Sequence, residues 1–542
     1  MERFRLFFRE PYNKKVTLVL FCVGLIIYAN SIFNGFIADD FAQVRDNNLV
    51  HSLLNIPNLF SRGTVYDENV LRSNYYRPLL SSVFSLIYFF SAGNPFGFHL
   101  VQILVHITNS FLIYIIFKHF FERELSFLLS LLFLVHPLNT EAVVYISSLQ
   151  DPLFLMFGLF TVLLVQKTNK LKSTFFLLLG MAMLLLSLLS KETGVTFLVV
   201  IPLFIYLYKK KNSNIVYVIL QGFLVLFIYV ILRFAVANIY FPQHPIVPIM
   251  TLNFWERSFS IPKIILFYIK TFFYPKDLLI FQSWTVKSLD FTNFYLPLIM
   301  DSVFFFLIIT LGVVVYKKHE VFKSFIFFFF WFVIGLGVHL QITPLDQTVS
   351  DRWFYFPIVG LLGIIGVFLK YLNHRGHLNF NSMAIVIFVI VAALSIRVVI
   401  RNANWKDELT LYAHDVQYNK ESYQLERGLG NVYFSKENIT EAEKHYLNAV
   451  RLFPSSTSLY ALGEFYLLTE KFDKASDNFS LALNYDPNST YTWLLLAVSK
   501  YKSGNKEGAV AAANKAYSIS PSKGILSVLK AIENDKEIKN VR

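Results

Sequence analysis

Residues 16–41 read VTLVLFCVGLIIYANSIFNGFIADDF and join a long apolar run to two adjacent carboxylates, Asp39 and Asp40. The apolar run, residues 16–32, has the length and composition of a membrane-spanning helix. The carboxylates then fall at the membrane surface, just beyond the end of that helix. A carboxylate is costly to desolvate there, so it is either well solvated or retained for a function. This stretch therefore directs attention to the membrane surface as the place where chemistry occurs.

The composition of the whole chain predicts an all-α, polytopic membrane protein. Of its 542 residues, 55% are hydrophobic, 17% aromatic and only 16% charged, with a mean hydropathy of +0.50. Soluble domains carry roughly 25% charged residues. The net charge of +13 is attributed to basic cytoplasmic loops, and no nucleic-acid partner is expected because no basic run alternates with aromatic residues. The single cysteine, Cys22, excludes an intrachain disulfide and a cysteine-based metal site.

The distribution of Lys and Arg predicts about eleven transmembrane helices, starting from a retained signal-anchor helix with a basic, cytoplasmic N-terminus. The segment 79–90 is short for a span and is placed at the external interface or as a re-entrant piece. The predicted spans are 16–32, 96–117, 125–136, 153–165, 174–189, 195–208, 215–237, 294–316, 325–340, 354–369 and 384–400. The basic clusters all fall on one side, so the first external loop, 37–78, and the other weakly basic loops share the opposite side.

The C-terminal part of the chain predicts a second architecture. Small residues, alanines and prolines recur with a period of about 34 residues, for example Pro454, Pro487 and Pro521. This spacing is the signature of tetratricopeptide repeats, in which small residues allow paired helices to approach closely. The predicted domains are a multi-span membrane domain, 1–400, a linker, 401–420, three tetratricopeptide repeats, 421–521, and a C-terminal capping helix or tail, 522–542. By the span count, the repeats lie outside the cytoplasm.

Eight polar residues on the external face are candidate site residues. Each has a plain structural alternative: paired aspartates can cap a helix, cations near the membrane surface can be lipid anchors, and a His-Pro followed by Thr-Glu can be a helix break with an N-cap. The functional interpretation makes Asp39 and Asp40 the catalytic pair, with either as general base or both holding a divalent cation. In the same interpretation the donor-phosphate ligands are Arg77, Lys191 and Arg352, and the substrate contacts are His136, Glu141 and Glu192. His99 and His106 share one helix face and are expected to pack.

Several motifs occur in an order that resembles the transmembrane and tetratricopeptide-repeat O-mannosyltransferase family and its prokaryotic relatives. They are NGFIADD (34–40), YRPL (76–79), FHLVQILVH (98–106), HPLNTEAV (136–143), SKE (190–192), DRWFYFP (351–357) and the terminal repeats. The resemblance covers nearly the whole chain. It implies a multi-span, C-type glycosyltransferase fold, a polyprenyl-phosphate sugar donor used outside the cytoplasm, and an acidic residue of the first external loop in catalysis. Related chains often carry an Arg near position 149, where this sequence has Leu149.

The sequence thus supports two hypotheses. In the first, the protein moves a mannose-like sugar, with inversion, from a polyprenyl-phosphate carrier to a hydroxyl group, with the repeats presenting a Ser or Thr of an envelope protein. The bias towards Phe, Ile, Lys and Asn suggests an AT-rich prokaryotic genome, so the outer compartment is taken as the periplasm. In the second, the protein is a non-enzymatic membrane anchor that presents tetratricopeptide repeats to envelope proteins, and the aspartates are dispensable.

Overall fold

The computed structural model describes residues 11–65, 75–167, 174–209, 213–240, 247–374 and 380–536. The N-terminal basic residues Arg3, Arg5 and Arg9 and the end of the predicted C-terminal tail lie outside these ranges. Within them the chain is helical, and its only strand-like feature is an isolated antiparallel bridge between Gln282 and Val349. The predicted all-α fold is confirmed.

Among the described residues, fourteen helices belong to the membrane part and eight to the C-terminal part. In the first group they are α1 (Pro11–Tyr28), α2 (Pro78–Ser91), α3 (Pro95–Phe117), α4 (Arg123–Leu134), α5 (Thr140–Val144), α6 (Gln150–Lys167), α7 (Thr174–Ser190), α8 (Phe197–Tyr208), α9 (Ser213–Val230), α10 (Ile261–Phe273), α11 (Leu296–Val315), α12 (His319–Gly337), α13 (Pro357–His374) and α14 (Phe380–Asn404). In the second group they are α15 (Glu408–Tyr418), α16 (Tyr423–Ser435), α17 (Ile439–Leu452), α18 (Ser456–Leu468), α19 (Phe472–Tyr485), α20 (Thr490–Lys502), α21 (Lys506–Ile519) and α22 (Lys523–Glu533). Two further α-helical turns are Ile56–Leu59 and Phe254–Ser258.

The predicted number of eleven spans is higher than the described helices support. Seven of them are long and apolar enough to cross a membrane, or eight if the bent pair Arg123–Leu134 and Pro137–Val144 counts as one span. The other predicted spans correspond to shorter apolar helices, Leu178–Ser190, Glu192–Tyr208 and Pro357–Asn373. The difference arises because hydropathy marks an apolar segment wherever it lies, whereas these helices are shorter than a full span. The protein is nevertheless a multi-pass membrane protein.

Small residues let the membrane helices pack closely. A Cβ at Gly360 of α13 would lie 2.5 Å from the backbone nitrogen of Phe332 in α12, and one at Gly363 would lie 2.1 Å from the Phe328 ring. Such contacts are a main source of helix association in lipid, where burial of apolar surface gives little net advantage. The α12–α13 pair therefore forms a rigid wall, and α13 follows directly from the segment that carries Arg352.

Three helix pairs, α16–α17, α18–α19 and α20–α21, form the repeat array, and α22 covers its end. The periodic small residues have the expected role: Gly463 faces the Phe479 ring, and a Cβ there would lie 2.9 Å from it. Ala442, Ala475 and Ala509 are fully buried. The hydrophobic core of the membrane part continues into the first repeat helix, since Leu425 and Leu429 of α16 belong to it. The first repeat is therefore packed against the membrane part.

Short 3₁₀ and π turns interrupt the helices, and most of the candidate site residues lie in these turns or directly beside them. The 3₁₀ turns are Ala29–Ser31, Asn48–His51, Leu53–Asn55, Pro137–Asn139, Ile146–Ser148, Glu192–Thr196, Pro248–Thr251 and Asp351–Tyr355, and the π turns are Phe41–Arg45, Ile231–Val236 and Phe291–Tyr295. At one of these turns Pro137 cannot continue α4, and the chain bends by 50° before α5 begins. These breaks leave polar side chains and backbone groups between the helix ends, where they can be used by a site.

Candidate active site

Asp40 is buried and fully hydrogen-bonded. Its Oδ1 accepts from the backbone N–H of Ser147 at 2.7 Å and from the Ser147 hydroxyl at 2.6 Å, and its Oδ2 accepts from the N–H of Ile37 at 3.0 Å. Burial raises the pKa of Asp40 to about 7, against these hydrogen bonds, which favour the ionised form. Asp40 therefore ties the first external loop to the 3₁₀ turn at Ser147, and it has little capacity left for a substrate.

Asp39, its neighbour, has an exposed side chain. Ala38, which lies between Ile37 and the two aspartates, has φ +49°. This left-handed conformation directs successive side chains to different sides. Partial loss of hydration next to the surrounding protein raises the pKa of Asp39, while the Arg352 guanidinium and the Tyr145 hydroxyl oppose the rise. The Tyr145 hydroxyl also accepts a hydrogen bond from the Asp39 backbone N–H at 3.0 Å. Asp39 is thus the accessible carboxylate of the pair, next to a cation.

Glu141 and Arg352, both candidate substrate ligands, form a buried ion pair. The Arg352 Nη1 donates to Glu141 Oε1, and the Arg352 backbone N–H donates to Glu141 Oε2 at 3.0 Å. The Ser350 hydroxyl lies 3.0 Å from both carboxylate oxygens. The Nε–H of Arg352 is buried and has no hydrogen-bond partner among the described residues. The pair is positioned by the 3₁₀ turn Asp351–Tyr355 and the first turn of α5, and the Nε–H of the guanidinium group takes no part in it.

Lys191 is held by a carboxylate that the sequence interpretation did not include. Its Nζ donates to Asp151 Oδ1 at 2.6 Å, and both side chains are buried. Burial lowers the pKa of Lys191, and Asp151 opposes this effect. The charges of Arg77 and Arg352 also lower the pKa of Lys191. The three predicted phosphate ligands therefore lie near enough to influence one another.

Arg77 shares Glu192 with Arg233. Arg77 Nε donates to Glu192 Oε2 at 3.1 Å, and Arg233 Nη1 donates to Glu192 Oε1 at 3.3 Å. Arg77 Nη1 also donates to Gln150 Oε1 at 2.6 Å. With Lys191–Asp151 and Arg352–Glu141, the ion pairs group four cations with three carboxylates, and Asp39 and Asp346 also interact electrostatically with Arg352. This cluster is suited to an anionic group.

The histidines singled out in the sequence have backbone or hydroxyl partners. His136 Nδ1 accepts from the Leu138 N–H at 3.3 Å, and its Nε2 contacts the Phe272 carbonyl oxygen at 3.0 Å. His106 lies 2.7 Å from the Tyr355 hydroxyl and 3.0 Å from the Leu134 carbonyl oxygen. His99 Nε2 lies 3.1 Å from the Asn34 carbonyl oxygen. The structure gives His136 a positional contact, and its predicted contact with substrate stays a prediction.

Several site residues have no sequence signal that reasoning on local motifs could have used. Asp346 lies in an irregular segment, yet it is close enough to raise the pKa of Asp39. Arg427 on the first repeat helix lowers the pKa of Asp39. Ser147 and Tyr145 stand in an apolar run before α6. Asp151 alone carried a hint, because a carboxylate at the start of an apolar helix needs a partner.

The donor set around Asp39 and Asp40 does not make a good divalent-cation site. Asp40 uses both oxygens for protein N–H and O–H donors. Among the described residues, no group of three or more His, Cys, Asp or Glu side chains is arranged to share a metal ion. We therefore derive no step through a bound cation.

Comparisons with known proteins indicate the class to which this chain is similar. A tetratricopeptide-repeat family model matches residues 456–489, which confirms the predicted type of repeat in a multi-pass membrane protein. The chain is 25% identical over 451 residues to Protein O-mannosyl-transferase F38B6.6 of Caenorhabditis elegans, covering 81% of this chain and 63% of that one. It is 22% identical over 515 residues to Protein O-mannosyl-transferase TMTC3 of Homo sapiens, covering 88% of this chain and 55% of that one. The resemblance to the transmembrane and tetratricopeptide-repeat O-mannosyltransferase family is confirmed over most of the chain.

The likeness is partial in two respects. The chain spans 55–63% of the length of these two relatives. Among solved structures, the Archaeoglobus fulgidus oligosaccharyltransferase tethered with an acceptor peptide aligns over 83% of this chain and 60% of that chain, at a TM-score of 0.36 and 11% identity. The Arabidopsis OM64 TPR domain aligns over 22% of this chain and 98% of that chain, at a TM-score of 0.21 and 18% identity. These scores are too low to support a conclusion.

Proposed function

We propose that this protein is a membrane glycosyltransferase that moves a mannose-like sugar from a polyprenyl-phosphate carrier to a Ser or Thr hydroxyl of an envelope protein, outside the cytoplasm. The relatives that it resembles are named protein O-mannosyl-transferases. The observation that carries the proposal is an exposed carboxylate, Asp39, beside a buried cation cluster at the ends of membrane helices. Transfer of a sugar from a phosphate carrier uses a base for the acceptor hydroxyl and positive charge for the leaving phosphate. A carboxylate and a cation cluster supply these two functions.

Asp39 is the general base in this proposal, and Asp40 positions it. Asp39 takes the proton of the acceptor hydroxyl while that oxygen forms a bond to the anomeric carbon. The bond between the anomeric carbon and the phosphate oxygen breaks on the opposite face, and the configuration inverts. Asp40 cannot easily fill the first role, because its oxygens already accept three hydrogen bonds.

The leaving polyprenyl phosphate gains negative charge, and the cluster of Arg77, Lys191 and Arg352 would stabilise it. Each of these cations already has a carboxylate partner, so the cluster is preorganised and pays little reorganisation cost during the reaction. The Nε–H of Arg352, which has no hydrogen-bond partner among the described residues, would be a donor to the phosphate. Arg352 also acts on Asp39, which supports placing the phosphate and the acceptor hydroxyl on either side of one guanidinium group.

The repeat array would hold the protein acceptor. Arrays of this kind bind peptides on an extended concave surface. The first repeat helix lies close enough to the site for electrostatic interaction. Arg427 lowers the pKa of Asp39, and Asp346 raises the pKa of Tyr423. An acceptor bound to the array would therefore be near the base. The apolar helices and the amphipathic helix α10 would accommodate the lipid tail of the donor.

The proposal is tested with the purified full-length chain in nanodiscs, a polyprenyl-phosphate mannose donor and Ser/Thr-containing acceptor peptides, with products read by mass spectrometry. Asp39→Asn is expected to lower transfer by at least about 100-fold, the usual contribution of a general base. Asp46→Asn is the matched control, because Asp46 lies in the same external loop, is exposed and pairs only with Arg45 among the described residues. Equal transfer by the wild type and Asp39→Asn would overturn the assignment. The scaffold hypothesis would be favoured if the protein uses no donor and the Asp39→Asn variant restores the wild-type phenotype to a deletion strain.

A further inference from the structure

The first external loop is attached to the segment that leads into the repeat array. The Gly35 backbone N–H donates to the Lys406 carbonyl oxygen at 3.0 Å, and the Asn34 side-chain amide donates to the Asn402 carbonyl oxygen at 3.2 Å. The Ala38 backbone N–H donates to Glu408 Oε1 at 3.1 Å. These contacts join parts of the chain that are about 370 residues apart in sequence. The chain around Asp39 is thus tied to the end of α14 and to the start of α15.

The contact from Glu408 falls on the residue that sets the direction of Asp39. Ala38 has φ +49°, a conformation that residues with a side chain seldom adopt without external support. Asp39 follows immediately, so a change at Ala38 would redirect its carboxylate. The carboxylate of Glu408 is the side-chain acceptor that holds the Ala38 N–H in this conformation.

Glu408 is itself linked to the first repeat through Tyr412, which lies on the same helix, α15. The Tyr412 hydroxyl donates to Glu408 Oε1 at 3.1 Å, so one carboxylate oxygen joins Tyr412 to Ala38. The Tyr412 ring packs against Gly428 of α16, where a Cβ would lie only 2.7 Å from ring carbon Cε2. A continuous set of contacts therefore runs from the first repeat helix through Tyr412 and Glu408 to the Ala38 turn.

We infer that Glu408 is a positioning residue that couples the repeat array to the orientation of Asp39. The inference rests on the proposed function, in which Asp39 is the base. Glu408 touches neither the acceptor nor the donor in this scheme. Its loss should therefore slow the chemical step and leave the binding of both substrates unchanged. A glutamate in the first turn of a helix also interacts favourably with the helix dipole, and this alternative predicts no such kinetic pattern.

The test compares Glu408→Ala and Glu408→Gln in the full-length chain, with kcat and KM measured for donor and acceptor. Glu408→Ala is expected to lower kcat by roughly 10- to 100-fold, the range that follows from displacing a catalytic group by up to about 1 Å, with both KM values unchanged. Glu408→Gln should stay within about threefold of the wild type, because its amide oxygen can accept the same two hydrogen bonds. Glu507→Ala is the matched control: Glu507 is an exposed glutamate in the first turn of α21.

Wild-type kcat for Glu408→Ala, or an equal loss for Glu408→Gln, would overturn the inference. If Glu408→Ala does not fold, Tyr412→Phe removes the hydroxyl that contacts Glu408 with almost no change in volume, and it should lower kcat several-fold with unchanged KM; a wild-type kcat would again overturn the inference. Asp39→Asn is measured in parallel. Full activity of that variant contradicts the proposed function itself, whereas an inactive Asp39→Asn with a normal Glu408→Ala contradicts only the coupling.

Discussion

Replacing Ser147 by alanine should shift the pH dependence of transfer towards higher pH. The Ser147 hydroxyl donates to Asp40 Oδ1 at 2.6 Å, and the variant removes this bond while the backbone N–H bond at 2.7 Å remains. A hydrogen bond to a charged group contributes about 1.5–3 kcal/mol, and one pKa unit corresponds to about 1.4 kcal/mol. Since the lost bond favours the ionised form, the pKa of Asp40 should rise by about 1–2 units from its value of about 7.

The wild type should lose activity as the pH falls through about 7, because protonation of Asp40 removes an acceptor that fixes the Asp39 loop. At pH 7 about half of Asp40 is ionised in the wild type and only about 1–10% in Ser147→Ala, so activity should fall about 5- to 50-fold and recover above roughly pH 9. The assay is transfer rate against pH with saturating donor. Ser148→Ala is the matched control, because the Ser148 hydroxyl is buried and has no partner among the described residues. An unshifted acid limb in Ser147→Ala, or an equal loss at every pH, would refute the reasoning.

Titration of Asp40 should change the stability of the folded protein in the direction opposite to its effect on activity. Asp40 has a pKa near 3.8 when unfolded and about 7 when folded. The unfolded chain therefore ionises first as the pH rises, and the folded state loses stability between about pH 4 and pH 7. Above pH 7 this contribution is constant. Activity and thermal stability should consequently change in opposite directions across this range, which distinguishes titration of Asp40 from general acid unfolding.

Three further predictions concern the ion pairs, the repeats and the topology. Arg352→Met leaves Glu141 buried without its cation, so we expect a loss of about 3–5 kcal/mol, visible as a lower melting temperature; Arg352→Met combined with Glu141→Leu should recover stability and remain inactive. Gly463→Val places methyl groups against Phe479 and should destabilise the array by about 1–3 kcal/mol, measured as faster limited proteolysis, whereas Gly524→Ala, with its nearest neighbour 3.9 Å away, should behave as the wild type. Protease added to intact spheroplasts should cleave the repeats, and protection would contradict their proposed position outside the cytoplasm.

The fold was predictable where the signal is local. Apolar runs and the 34-residue period identify the membrane helices and the repeats, because each element's own residues determine its buried face. The number of spans was not predictable, because a short apolar helix such as Leu178–Ser190 has the hydropathy of a span without its length. The bend at Pro137 was visible as a helix break, but its 50° angle is set by tertiary packing.

The site was predictable only as a set of residues on one face. Following the basic loops brought Asp39, Arg77, Lys191 and Arg352 together, because side alternates with each span. Their partners could not be deduced: Arg352 and Glu141 are 211 residues apart, and their pairing depends on how the turns pack. The different environments of Asp39 and Asp40 depend on the left-handed Ala38, for which an alanine gives no sequence signal.

The most direct test of the central claim is quantitative glycoproteomics of envelope proteins from the host strain carrying either the wild-type gene or the Asp39→Asn gene in its place. We predict Ser- or Thr-linked glycopeptides of mannose type that are present with the wild type and absent with the variant, at equal amounts of the protein in the membrane. The same glycopeptides at the same occupancy in the Asp39→Asn strain would contradict the account.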